Sequence, residues 1–149
     1  MALEDDIALL SRVPLLAALG AEPIRLLAFS AETRVLRAGE VLFREGQAAE
    51  SGYVVVEGGL ILTSSAGLGE HRAGPGALVG EIALIVETAR PATAVAGEPT
   101  TVLRIPRALF RRVLTEFPEA AARLHDDFRA RIRQTASELM RVRRLFVGN

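Results

Sequence analysis

Between residues 33 and 106 the chain is cut by glycine into short β-rich runs, and no other feature limits its fold so strongly. Thr33–Leu36 leads to Ala38-Gly39, and Val41–Phe43 leads to Glu45-Gly46. Tyr53–Val56 ends at Gly58-Gly59, Leu60–Thr63 runs into Ser64–Gly69, and Ala77–Val79 stops at Gly80. Thr93–Ala96 and Thr100–Ile105 finish the series. Runs this short, turning roughly every eight to twelve residues, predict an all-β sandwich, barrel or jelly roll. One stretch breaks the pattern. Glu81-Ile82-Ala83-Leu84-Ile85-Val86-Glu87 lies between Gly80 and Arg90-Pro91, and its apolar run fits a buried strand or a short helix equally well.

Helical signals flank this region. Leu3, Ile7, Leu10 and Val13 recur at helix spacing; Pro14 opens a second short apolar stretch, Leu15–Leu19, which Gly20 closes. Pro23, followed by Ile24, Leu26 and Leu27, suggests another helical turn, so residues 1–30 are expected to be helical. Beyond Pro106, Arg107–Leu114 reads as an amphipathic helix, and Pro118 suits the first turn of a long one reaching about Phe146. Ala121, Phe128, Thr135 and Val142 repeat by seven, as do His125, Ile132, Leu139 and Phe146. Together they form one seam, either an intramolecular packing face or a homodimer contact. The expected organisation is one domain over 1–149: helices over 1–30, a β-roll over 33–106 and C-terminal helices over 107–146.

Composition removes several classes of function. The chain has no cysteine, so disulfides, thiol catalysis and thiolate metal sites are excluded. All 18 basic residues are arginine, so no lysine exists for a P-loop triphosphate site. Net charge is zero, which disfavours bulk nucleic-acid binding. The longest apolar runs fall far short of a membrane span. Met1–Leu10 carries Glu4, Asp5 and Asp6 and lacks the basic start of a signal peptide, so a soluble, cytoplasmic protein is expected.

The sharpest chemical signal is Gly80-Glu81-Ile82-Ala83-Leu84 followed by Arg90-Pro91-Ala92-Thr93. Glycine lets a ligand approach the backbone closely, and a helix beginning at Ile82 would present free amides to an anion. Arg90 adds a permanently charged planar fork matched to phosphate oxygens. A carboxylate at Glu81 can accept from a ribose hydroxyl. One arginine plus amides balances one negative charge, which suits a cyclic phosphodiester better than a triphosphate.

With Ala38–Gly46 and Tyr53–Gly58 preceding it, this segment resembles the phosphate-binding cassette of cyclic-nucleotide-binding domains, the family of the catabolite activator protein, protein kinase A regulatory subunits and cyclic-nucleotide-gated channels. The resemblance covers nearly the whole chain. It implies an α+β, mainly β fold: a double-stranded β-helix jelly roll of eight strands with N-terminal helices and a long C-terminal helix. It implies that Glu81 binds the ribose 2′-hydroxyl and Arg90 the cyclic phosphate. Amides near Ile82 and Ala83 complete the anion site, within a ligand-binding set Val79, Gly80, Glu81, Ile82, Ala83, Arg90, Pro91 and Ala92. Matching Arg123-Leu124 to the activator's last helix puts Arg131 and Thr135 near the base, one turn and about 6 Å apart along the axis. That helix acts as a lid over the base or as a dimer contact.

The cassette departs from the family at Pro91, where alanine, serine or threonine is usual, so one backbone donor to the phosphate is missing. Losing such a donor costs on the order of 1.5–3 kcal/mol. Guanine-selective relatives often carry threonine there, and its absence favours cAMP over cGMP. Ala136 replaces a serine that reaches the partner's adenine in the activator. Other readings stand beside this one: Glu81 and Arg90 can simply pair as a salt bridge, and Arg131 can be a solvated helix residue. Arg141, Arg143 and Arg144 read as a solvated basic helix end. A truncated activator-type transcription regulator would need a helix-turn-helix where this chain ends, and direct DNA binding is not expected. A metal-dependent β-roll enzyme would need more histidines than His71, in a short loop, and His125, on a helix. A degenerate roll used for protein–protein contact has only Pro91 in its favour. A stand-alone regulatory sensor, not an enzyme and without metal or cofactor, is the expectation.

Overall fold

The computed structural model describes residues 3–67, 69–127 and 129–130. Three helices open the chain: α1 (Leu3–Ser11), α2 (Pro14–Ala17) and α3 (Ala21–Ser30). Pro14 occupies the first turn of α2, where its missing amide costs nothing. The helix suggested around Pro23 is a full ten residues long and begins at Ala21, behind Gly20.

Ten strands follow among the described residues: β1 (Glu32–Leu36), β2 (Val41–Phe43), β3 (Ala48–Ala49), β4 (Ser51–Glu57), β5 (Leu60–Thr63), β6 (His71–Ala73), β7 (Leu78–Val79), β8 (Thr88–Ala89), β9 (Thr93–Ala96) and β10 (Thr100–Pro106). They form antiparallel sheets ordered β1-β10-β4-β7 and β2-β9-β5-β6, with a small third sheet, β3-β8. Neighbours that are distant in sequence are the mark of a roll, so the jelly-roll expectation holds. The ten strands exceed the eight that the resemblance implies, and β3, β6 and β8 are the three absent from the seven runs read in the sequence. His71 lies on β6 and not in a loop.

Alternation along β4 and β10 gives the molecule two cores. Val54, Leu103 and Ile105 face the helices and pack with Leu10, Leu16, Leu27, Phe110 and Leu124. Tyr53, Val55 and Val102 face the other sheet and pack with Phe43, Leu60, Ala94 and Ala96. β4 is therefore buried on both faces, which is why it reads as a near-continuous apolar run. Helix α4 (Arg107–Glu116) lays Phe110 and Val113 into the helical core, and residues 118–127 are helical again.

The ambiguous segment is neither a strand nor an α-helix. Glu81–Leu84 is one turn of 3₁₀ helix, entered through Gly80 at φ 80° and ψ 37°. That left-handed conformation is open to glycine at little cost and is strained for any residue with a Cβ.

Candidate functional site

The 3₁₀ turn and Arg90 meet because β3 and β8 pair, Ala48 with Ala89 and Ala49 with Thr88. That pairing carries Arg90 to the β2–β3 turn. Its amide donates to the Gln47 carbonyl (2.8 Å), and its carbonyl accepts from Gly46 (2.8 Å). The backbone of Arg90 is thus held at both ends before its side chain enters the protein.

The side chain is buried, with 5 % of its surface exposed. Its guanidinium stacks on Phe43, 4.2 Å from the ring centroid, and lies 5.5 Å from Tyr53, the chain's one tyrosine. One amino group reaches only a long contact to Ser51 Oγ (3.5 Å), and the other, Nη1, has no hydrogen-bond partner. Among the described residues no ion pair joins Arg90 to Glu81 or to any other acid. The simple salt-bridge reading of these two residues therefore fails. Burial holds the Arg90 pKa below its ordinary value; Tyr53 opposes that shift, and the charge of Arg104 adds to it. A buried cation without a counter-ion is costly unless something completes it.

Beside Arg90 lies a cavity of about 240 Å³, lined by Gly80, Glu81, Ile82, Ala83 and Pro91 together with Ala49, Thr88 and Ala89. The structure thus gathers six of the expected residues around one space. Val79 is instead part of the inter-sheet core, and Ala92 does not line the cavity. Arg131 and Thr135 lie outside the described residues, as does most of the heptad seam. Ala83 also needs correction. Its amide donates to the Gly80 carbonyl (3.1 Å), because a 3₁₀ turn closes three residues back. The amides of Glu81 and Ile82, ahead of that first bond, are the ones left to face an anion.

Sequence reading missed the residues that seat the guanidinium, Phe43, Tyr53 and Ser51, and the one that seats the turn, Arg107. Arg107 Nη1 lies within bonding distance of three carbonyls: Ala83 (2.9 Å), Ala49 (3.0 Å) and Val86 (3.1 Å). Its own amide donates to Glu50 (2.8 Å). One side chain at the start of α4 therefore binds the 3₁₀ turn to β3. Replacing it with methionine removes charge-assisted bonds worth about 1.5–3 kcal/mol. We expect Arg107→Met to lower the melting temperature by a few degrees and to weaken ligand binding about tenfold. Thermal melts and calorimetric titration of the same preparation check both.

The profile of the family described as "Cyclic nucleotide-binding domain" matches residues 33–117, and the chain belongs to that family. The structure of a cyclic nucleotide-binding-like protein from Brucella abortus bv. 1 str. 9-941 is 47% identical, with a TM-score of 0.67 over 74% of this chain and 98% of that one. The N-terminal domain of a transcriptional regulator from Streptomyces coelicolor A3(2) is 32% identical, with a TM-score of 0.79 over 88% and 94%. Among curated proteins, the lysophospholipase nte1 of Neurospora crassa is 32% identical over 109 residues, 70% of this chain. The chain spans only 7% of that relative's length. Among the described residues no helix is long and apolar enough to cross a membrane, and no cluster of side chains could hold a metal ion.

Proposed function

We propose that the chain is a single regulatory module, 1–149, that senses cAMP in preference to cGMP and does no chemistry on it. The observation that carries the reading is the buried, unpaired guanidinium of Arg90, aimed at a cavity whose other wall is the start of the 3₁₀ turn. A monoanionic ring phosphate supplies the one charge that Arg90 lacks, and the amides of Glu81 and Ile82 donate to its remaining oxygens. Glu81, exposed at the cavity rim, takes the ribose 2′-hydroxyl. The cavity is smaller than the roughly 300–1,000 Å³ usual for a drug-sized ligand. It suits the phosphate and sugar edge, so the base extends beyond it, towards the Arg131 and Thr135 of the family resemblance. Pro91 lines the same wall without an amide to donate or the hydroxyl that favours guanine.

The lysophospholipase likeness does not weigh against a sensor, since it is confined to 7% of that enzyme's length. An output through the C-terminal helices has support in the packing. Leu84 and Ile85 at the end of the turn share an apolar cleft of about 340 Å³ with Phe110, Leu114, Leu124 and His125. A ligand that shifts the turn changes the wall against which those helices pack. The shift requires that the nucleotide bind the two arrangements with different affinity.

Calorimetric titration with cAMP and cGMP tests the reading. We expect saturable binding at one site per chain with cAMP the tighter ligand. Glu81→Ala should weaken it about tenfold, the worth of one charge-assisted hydrogen bond. Failure of both nucleotides to bind the wild-type chain would end the proposal.

A further inference from the structure

Arg90 lines a second cavity, and it is the one residue that the two cavities share. This space, about 170 Å³, is walled by Arg34, Arg104, Gln47, Glu50, Ser51 and Tyr53. Leu36 and Val102 belong to the inter-sheet core, and alternation puts residues two places away on the same face. Arg34 is two places from Leu36 and pairs in register with Val102; Arg104 is two places from Val102 and pairs with Glu32 and Tyr53. The face that carries Leu36 and Val102 thus ends in two arginines, with Arg34 exposed at the rim of the cavity.

Their charges are poorly balanced. Arg104 bonds Glu32 at 3.2 Å, a carboxylate that is half exposed. Arg34 makes no ion pair among the described residues, and Glu50 is the only acid lining the cavity. Three guanidiniums therefore share one small space with one carboxylate. Burial is the main cause that holds the Arg90 pKa below its ordinary value, with the charge of Arg104 a smaller one in the same direction. Repulsion among the three guanidiniums is relieved most directly by an anion. The wall offers the donors such an anion requires: guanidinium forks matched to tetrahedral oxyanions, and the hydroxyls of Ser51 and Tyr53. The volume is too small for a nucleoside.

We propose that this cavity is a second oxyanion site, which takes a phosphate dianion and draws the Arg90 guanidinium away from the cassette. The site itself stands independently of the cyclic-nucleotide reading; the competition rests on it. In a phosphate-free buffer at constant ionic strength, inorganic phosphate should bind the full chain saturably. Arg34→Gln, which has no ion pair to lose, should weaken that binding at least tenfold, and Arg34→Gln/Arg104→Gln further. Saturating phosphate should raise the apparent Kd for cAMP at least fivefold in the wild type and leave it unchanged in Arg34→Gln. Phosphate acting no differently from chloride overturns the site. So does undiminished phosphate binding by Arg34→Gln, which would put the ion in the cassette. If phosphate binds as described and no cyclic nucleotide binds any variant, the sensor reading falls and the second site stands.

Discussion

Replacing Arg90 with methionine should abolish useful cyclic-nucleotide binding and leave the protein without nucleotide at least as stable as the wild type. The two effects have one cause. Among the described residues that line the cavity beside the 3₁₀ turn, Arg90 is the only side-chain cation, and truncating one partner of a buried, hydrogen-bonded charge pair costs about 2–5 kcal/mol. That is roughly a thirty-fold to several-thousand-fold loss of affinity. Without nucleotide the same group is a liability, since Nη1 is buried and unbonded. Leaving such a donor unsatisfied costs about 1–3 kcal/mol, and more for a charged one. Stacking on Phe43 and Tyr53 returns only about 0.5–2 kcal/mol. Methionine is unbranched and polarizable, shorter than arginine by the guanidinium, and fills the space beside the rings while removing the charge.

Calorimetry reads the first effect, and a thermal melt without nucleotide reads the second. A structural arginine would behave in the opposite way, with the melt falling and affinity following only as the protein loosened. A clear drop in melting temperature with binding intact would therefore remove Arg90 from the site. Retained binding at unchanged stability would do the same.

Glu81 and Arg90 were legible as candidates because their chemistry does not depend on packing: a carboxylate beside a permissive glycine and a fork nine residues on suit a sugar phosphate wherever the chain folds them together. The arginine's seat was not legible. Phe43 lies on β2 and Tyr53 on β4, strands of different sheets, and their rings come to 5.9 Å only through the register of the whole roll. The strands that deliver Arg90 were hidden for a related reason. Ala48–Ala49 and Thr88–Ala89 contain no β-branched run and no alternation, and they are strands because they find each other. The segment after Gly80 defeated periodicity from the other side. Ile82 and Val86 are exposed while Ala83 and Leu84 are buried, a pattern too short to show any repeat. Arg107 read as an ordinary first residue of an amphipathic helix, because its acceptors are main-chain carbonyls and leave no trace in side-chain identity.

Gly80→Ala should lose nearly as much affinity as Arg90→Met, although it adds a single methyl group. Two separate costs meet at this residue. Its φ of 80° is left-handed, which costs an L-residue with a Cβ roughly 1–2 kcal/mol. That amounts to a fall in melting temperature of about 2–8 °C for a domain of this size. In addition, the new Cβ would stand 2.6 Å from Arg90 Nη1, closer than such atoms can approach. The next atom, the Ser51 carbonyl at 3.4 Å, is in ordinary contact, so the guanidinium yields and the sheet does not. Displaced from beside the 3₁₀ turn, Arg90 no longer shares an anion with the amides of Glu81 and Ile82. The two substitutions therefore remove the same interaction, and a double-mutant cycle separates the methyl's two effects. In the Arg90→Met background, Gly80→Ala should still lower the melting temperature through backbone strain, yet change residual affinity by less than about twofold. Affinity losses that simply add would mean that Gly80 and Arg90 act on the ligand independently, and the guanidinium would not be positioned by the turn it lies against.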